Sequence, residues 1–131
     1  MIRKLIGITA IYLSVSLCGL AQTERIVILH TNDTHSQMEP FAATHKTYGG
    51  LGGVMRRMAI IDSIRNAEPN VLLVDAGDAI QGTPYFNLFK GDAEFEAMNA
   101  MRYDIRTIGN HEFDAGMTKP VSYTHLRAPR H

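Results

Sequence analysis

Three short apolar runs alternate with two stretches of helical periodicity, and this alternation constrains the fold more than any other feature of the chain. Ile26-Val27-Ile28-Leu29 and Val71-Leu72-Leu73-Val74 are compact and rich in β-branched residues; Ile105 and Ile108, flanking Arg106-Thr107, form a weaker third run that ends at Gly109. Runs of this length and composition read as buried strands rather than helices. Between the first two, Val54, Met58, Ile61 and Ile64 fall on one face of a helix, which Pro69-Asn70 stops. Between the second and third, Phe95, Met98 and Met101 recur every third residue in a segment of good helix formers from Asp92 to Arg102. Strand, helix, strand, helix, strand predicts an α/β fold with a mainly parallel sheet, right-handed crossovers and helices covering it. The methionine and aliphatic stripes are predicted core.

The 131 residues leave room for at most one ordinary domain. Met1-Ile2-Arg3-Lys4 is a short basic start, and the following run from Leu5 to Leu17 is apolar apart from Gly7, Thr9, Ser14 and Ser16. That is the pattern of a secretory signal peptide. A spanning helix needs about 20 predominantly apolar residues, and this run is shorter and diluted by hydroxyls. Small residues at Gly19 and Ala21 place the expected cleavage before Gln22, which makes residues 1–21 the signal. Lipid attachment at Cys18 is the alternative, and the bulky Leu17 before it argues against that. With Cys18 gone, the mature chain has no cysteine and no disulfide.

The 13 basic and 13 acidic residues cancel, and loss of Arg3 and Lys4 leaves 11 against 13. No basic stripe exists to bind nucleic acid. Gly49-Gly50-Leu51-Gly52-Gly53 precedes the first helix, but its spacing fits neither the dinucleotide fingerprint nor the P-loop. It reads as a flexible turn.

A polar cluster follows each apolar run: Asp33-Thr34-His35, Asp75-Ala76-Gly77-Asp78 and Gly109-Asn110-His111-Glu112. Loops at the carboxyl ends of parallel strands face a common crevice, so these clusters are expected to converge. In an extended loop, Asp33 and His35 point to the same side and offer a carboxylate and an imidazole to a borderline divalent metal. A turn-capping aspartate beside an exposed histidine is the plainer alternative. Asp75 and Asp78 put two carboxylates close together, a cost that a cation relieves. Asp78 is suited to bridge two ions, and Asp75 to bond loop amides. Asn110 offers a hard amide oxygen; His111 is open to three roles, as ligand, general acid or donor to a developing oxyanion. Asp114 is placed to hold its imidazole in one tautomer.

Leu29-His30-Thr31-Asn32-Asp33-Thr34-His35-Ser36, Gly77-Asp78-Ala79-Ile80-Gln81-Gly82 and Gly109-Asn110-His111-Glu112-Phe113-Asp114 closely resemble the first three motifs of the bacterial 5′-nucleotidase family of calcineurin-like metallophosphoesterases. The resemblance runs from about Ile26 to about Gly116. It implies an α/β metallophosphoesterase sandwich of mixed, mainly parallel sheet layers flanked by helices. It also implies two divalent metal ions, zinc, manganese or iron, with Asp33 and His35 on one, Asp78 bridging and Asn110 on the other. His111 and Asp114 would act on the phosphoryl group. The implied activity is hydrolysis of phosphate esters, commonly nucleoside 5′-monophosphates, in the periplasm or outside the cell. Relatives sharing these motifs include cyclic-nucleotide phosphodiesterases, nucleotide-sugar diphosphatases and thiosulfate-ester hydrolases. A non-catalytic extracellular binding module that kept the motifs is the reading from another class.

The family's shell also takes histidines from later Gly-His and Gly-His-x-His motifs, and the chain contains neither. Residues 22–117 therefore read as the amino-terminal part of a catalytic domain, without its substrate-binding domain. The stretch 118–131, which includes His125 and His131, does not resemble the family's continuation and reads as a non-native tail. By itself this part is expected to be inactive, and to fold poorly or expose a sheet edge.

Overall fold

The computed structural model describes residues 23–118. The predicted signal segment with Cys18, and the tail from residue 119 with His125 and His131, lie outside the described residues. Three strands, β1 (Val27–Thr31), β2 (Val71–Asp75) and β3 (Ile105–Arg106), pair in parallel in the order β1-β2-β3. The register sets Leu29 beside Leu73, Thr31 beside Asp75, and Asp75 beside Arg106.

Helix α1 (Val54–Ala67) joins β1 to β2, and α2 (Pro84–Phe89) with α3 (Asp92–Ala100) joins β2 to β3. The predicted helical stripes are the faces that pack. Ile61 of α1 and Phe95, Met98 and Met101 at α3 meet Leu73 in the core, with Leu29, Val54 and Met58 packed against it. The Arg65 guanidinium donates to the carbonyls of Met101 and Arg102, at 2.6 and 2.8 Å, and so ties the end of α1 to the end of α3. Helix α2 is the element that periodicity does not reveal, because six residues are too few to show a stripe. Its local signal is nevertheless present: Thr83 caps the helix, its Oγ1 accepting from the Tyr85 amide at 3.3 Å, and Pro84 follows at the first helical position.

Two expectations need correction. The helices cover the sheet as expected, but the strands are not buried on both sides: among the described residues only one face of the sheet is covered. Both crossovers carry the chain in the same direction across the sheet, and right-handed connections then put every helix on one side. Leu29 and Leu73 alternate to that side, whereas Ile28 is 62% exposed and Ile105 54% exposed on the other. The third strand was expected to run on to Ile108 and is only two residues long. Thr107 still donates to the Asp75 carbonyl at 3.0 Å, after which the chain turns toward the β2 loop.

Candidate metal centre

Because all three strands are parallel, their carboxyl ends lie along one edge, and the three polar clusters meet there. The first two loops extend the ladder past the strands. Ala76 N–H donates to Thr31, Asp33 N–H to Gly77, His35 N–H to Asp78 and Ser36 N–H to Ala79, all at 2.9–3.1 Å. The backbone is far from extended, however: Asp33, His35, Ser36 and Asp78 have φ of 51°, 43°, 53° and 54°. Left-handed conformations at non-glycine residues are costly and concentrate at functional loops. Pleat alternation therefore does not bring Asp33 to His35. The left-handed turn does, with Asp33 Oδ1 3.7 Å from His35 Nε2.

The second and third loops touch backbone to backbone at two glycines. Gly77 has φ of +101°, and a Cβ there would lie 2.7 Å from the Gly109 nitrogen. A Cβ on Gly109 would lie 2.2 Å from Asp78 Oδ1 and 2.6 Å from the Asp78 nitrogen. The close approach delivers His111: its amide donates to Asp78 Oδ1 at 2.9 Å, and its ring packs edge-on to His35 with centroids 5.2 Å apart. Asp114 Oδ2 sits 2.8 Å from His111 Nδ1, leaving Nε2 as the ring nitrogen facing the cluster's chemistry. That hydrogen bond raises the imidazole's pKa, and partial burial opposes it.

Metal-donor atoms of His35, Asp78 and His111 all lie within 4.8 Å of one another. The Asn110 amide terminus adds to this set. Its head is 3.2 Å from Asp78 Oδ2, and in the amide orientation that turns oxygen toward Asp78, two acceptors face each other. With its nitrogen toward the carboxylate the amide donates to Asp78 Oδ2; with its oxygen there, it would offer a second hard donor beside Asp78 to a divalent ion. The donor set of imidazole, carboxylate and amide oxygen fits a divalent metal. The structure thus brings together His35, Asp78, Asn110, His111 and Asp114. Asp33 stands beside His35 but outside the three-residue cluster, with its side chain half exposed.

Asp75 takes the structural part expected of it. It is buried, its Oδ1 accepts from the Gly77 amide at 3.0 Å, and its Oδ2 accepts from Thr31 Oγ1 at 2.5 Å. The Thr31 hydroxyl also pairs with Tyr103 Oη at 2.9 Å. Burial raises the Asp75 pKa, against the Thr31 and Gly77 bonds.

Sequence reasoning missed Glu112. It is 1% exposed, and its carboxylate accepts from the amides of Ala79 at 2.7 Å, Asp78 at 3.1 Å and Gly109 at 2.6 Å. The available signal was an acidic residue directly after Gly109-Asn110-His111, where a neighbouring carboxylate would repel Asp78 unless it had amides of its own.

The family model described as calcineurin-like phosphoesterase matches residues 26–130. The human 5′-nucleotidase is 48% identical over 96 residues, 70% of this chain and 17% of the human protein. The venom 5′-nucleotidase of Crotalus adamanteus is 40% identical over 116 residues, 86% of this chain and 20% of that protein. Among solved structures, the NAD nucleotidase of Haemophilus influenzae superposes with a TM-score of 0.69 at 39% identity, covering 79% of this chain and 22% of that one. The chain thus spans about a fifth of the length of the relatives it matches.

Proposed function

The chain belongs to the calcineurin-like phosphoesterase family, and from that premise we propose that the whole protein hydrolyses nucleoside 5′-monophosphates at a two-metal centre. One observation carries the reading: donor atoms of His35, Asp78 and His111, from three separate loops, gather within 4.8 Å at the carboxyl edge of the sheet. Asp33 and His35 would hold one divalent ion, Asp78 would bridge, and Asn110 would hold the second. Zinc, manganese and iron all suit these donors. The chemistry that a metal pair supplies at such a centre is activation of water and neutralisation of phosphoryl charge.

The protein's own residues do the rest. Asp78 spends Oδ1 on the His111 amide and keeps Oδ2 toward Asn110, which fixes the bridging carboxylate between the two loops. Asp114 holds His111 Nδ1, favours the imidazolium and presents Nε2 to a phosphoryl oxygen. A second role for His111 has support from its place in the three-residue cluster: Nε2 as a metal ligand.

The reading further places the protein in the periplasm or outside the cell, with residues 1–21 removed as a signal. Relatives that include venom proteins support this. Residues 22–117 would not turn over alone, since with His111 on the phosphoryl group the proposed ligand set draws one imidazole, His35, from the described residues. Likeness to an NAD nucleotidase favours one alternative substrate class, the nucleotide pyrophosphates.

The test is phosphate release from a nucleoside 5′-monophosphate by the full-length protein, alongside cleavage of NAD. His111→Ala should lower kcat by about 100-fold or more with two ions retained. Loss of an ion in that variant would make His111 a ligand, and undiminished turnover in both His111→Ala and Asp78→Asn would refute the reading.

A further inference from the structure

The two halves of the centre are fastened to Asp78 in different ways. Between the β1 and β2 loops, four backbone hydrogen bonds carry the load, from Ala76, Asp33, His35 and Ser36. Between the β2 and β3 loops, the last backbone bond is Thr107 N–H to the Asp75 carbonyl, below the site. Past it, among the described residues, backbone pairing gives way to two side chains: Asp78 Oδ1 accepts from the His111 amide, and the Glu112 carboxylate takes amides from both loops. Glu112 spans the gap, one carboxylate holding the amides of Asp78 and Ala79 from one loop and Gly109 from the other. Its burial keeps water from competing for those amides.

We propose that Glu112 is the positioning residue of the Asn110 half of the centre: its carboxylate clamps the Gly109–His111 backbone onto the Asp78 loop and so sets the separation of Asn110 and Asp78. This rests on the two-metal reading above. Asn110 and His111 follow directly from Gly109, so a shift of that amide is passed to both side chains. Asp33 and His35 are held by the carbonyl sides of the Gly77–Asp78 and Asp78–Ala79 peptides whose amide sides Glu112 accepts from, and the Ala76 and Ser36 bonds flank them. Loss of the carboxylate therefore falls first on the Gly109–His111 half, which among the described residues has no backbone bond to the Asp78 loop past Thr107, and less on the half that keeps its four main-chain bonds.

The experiment compares full-length wild type with Glu112→Gln and Glu112→Leu in two arms. In the metal-free protein, hydrogen exchange should quicken most in peptides covering 107–113, also in those covering 76–80, and least in those covering 32–36, which keep their main-chain bonds. In metal titration, the wild type should take up two ions. Glu112→Gln, which keeps one amide-accepting oxygen, should bind the first ion as wild type and the second more than about 10-fold more weakly, and Glu112→Leu should lose the second altogether. Equal loss of both ions, two ions bound as in wild type, or unfolding of the Gln variant would overturn the assignment. A wild type that takes up no pair of ions would overturn the two-metal reading instead, and the exchange arm then decides Glu112 by itself.

Discussion

At the carboxyl edge of the sheet, Glu112 is buried with three amide donors on its carboxylate; in the first turn of α3, Glu94 is buried to 4% exposure with neither oxygen partnered among the described residues. The contrast extends beyond the two glutamates. In the loop region Asp75, Asp78 and Asp114 all have hydrogen-bond partners. The Ser36 hydroxyl, in the loop after β1, and Arg106 Nη1 are also unpartnered among the described residues, and Ser36, Arg57 and Glu94 line a cavity of about 10 Å³. That volume is at the threshold for one water. Arg106 rests on the Phe95 ring, 5.4 Å from its centroid, and burial lowers its pKa. Burial by itself thus says little about a charged group's role. A carboxylate saturated with donors fixes a geometry, while an unsaturated one of equal burial costs stability.

The widest separation between the two regions is expected from removing each glutamate. Glu112→Leu strands three amides and should cost about 3 kcal/mol or more in denaturant unfolding of the full-length protein. A cost below about 1 kcal/mol would erase the distinction. Gly109→Ala should follow closely, at about 2–3 kcal/mol, because the new methyl meets both the carboxylate and the backbone of Asp78. If its unfolding curve overlays that of wild type, the loop region has slack that the close approach denies. Glu94→Met, of similar volume, should go the other way and stabilise by about 1 kcal/mol. A destabilised Glu94→Met protein would mean that the cavity holds a partner for the carboxylate.

Asp75→Asn should have the smallest effect, under about 1 kcal/mol at pH 7, since an amide can serve both Thr31 and Gly77. Its signature is in acid. The folded state raises the Asp75 pKa, so it binds that proton more tightly than the unfolded chain does. The resulting stabilisation is complete below the ordinary value of 3.8 and is lost as pH rises through the folded pKa. Unfolding free energy measured across that window should decline in the wild type and flatten in Asp75→Asn; parallel curves would contradict the shift.

Much of this molecule was legible in the chain. The spacing of Val54, Met58 and Ile61 and of Phe95, Met98 and Met101 announces both long helices, because helical period and burial act on the same residues. The three polar clusters announce a site, since the strands preceding them are parallel and end on one edge. What escaped was set by contacts between segments. Asp33 and His35 are neighbours through a left-handed turn, a conformation that aspartate and histidine adopt more readily than most residues but that their types alone do not specify. Glu112 reads as an ordinary acidic residue until the amides of Asp78, Ala79 and Gly109 are seen around it. The short third strand reflects the turn toward Asp78, which no feature of residues 105–108 encodes.

The sequence by itself determined the order of elements, the helix faces that pack and the residue types available for chemistry, because period, propensity and donor chemistry are local properties. Tertiary structure alone decided which sheet face is covered, how closely Gly77 and Gly109 approach, and which of two buried glutamates holds the site together. Those outcomes depend on pairs of segments more than thirty residues apart, and a carboxylate's role follows from the amides that folding brings to it.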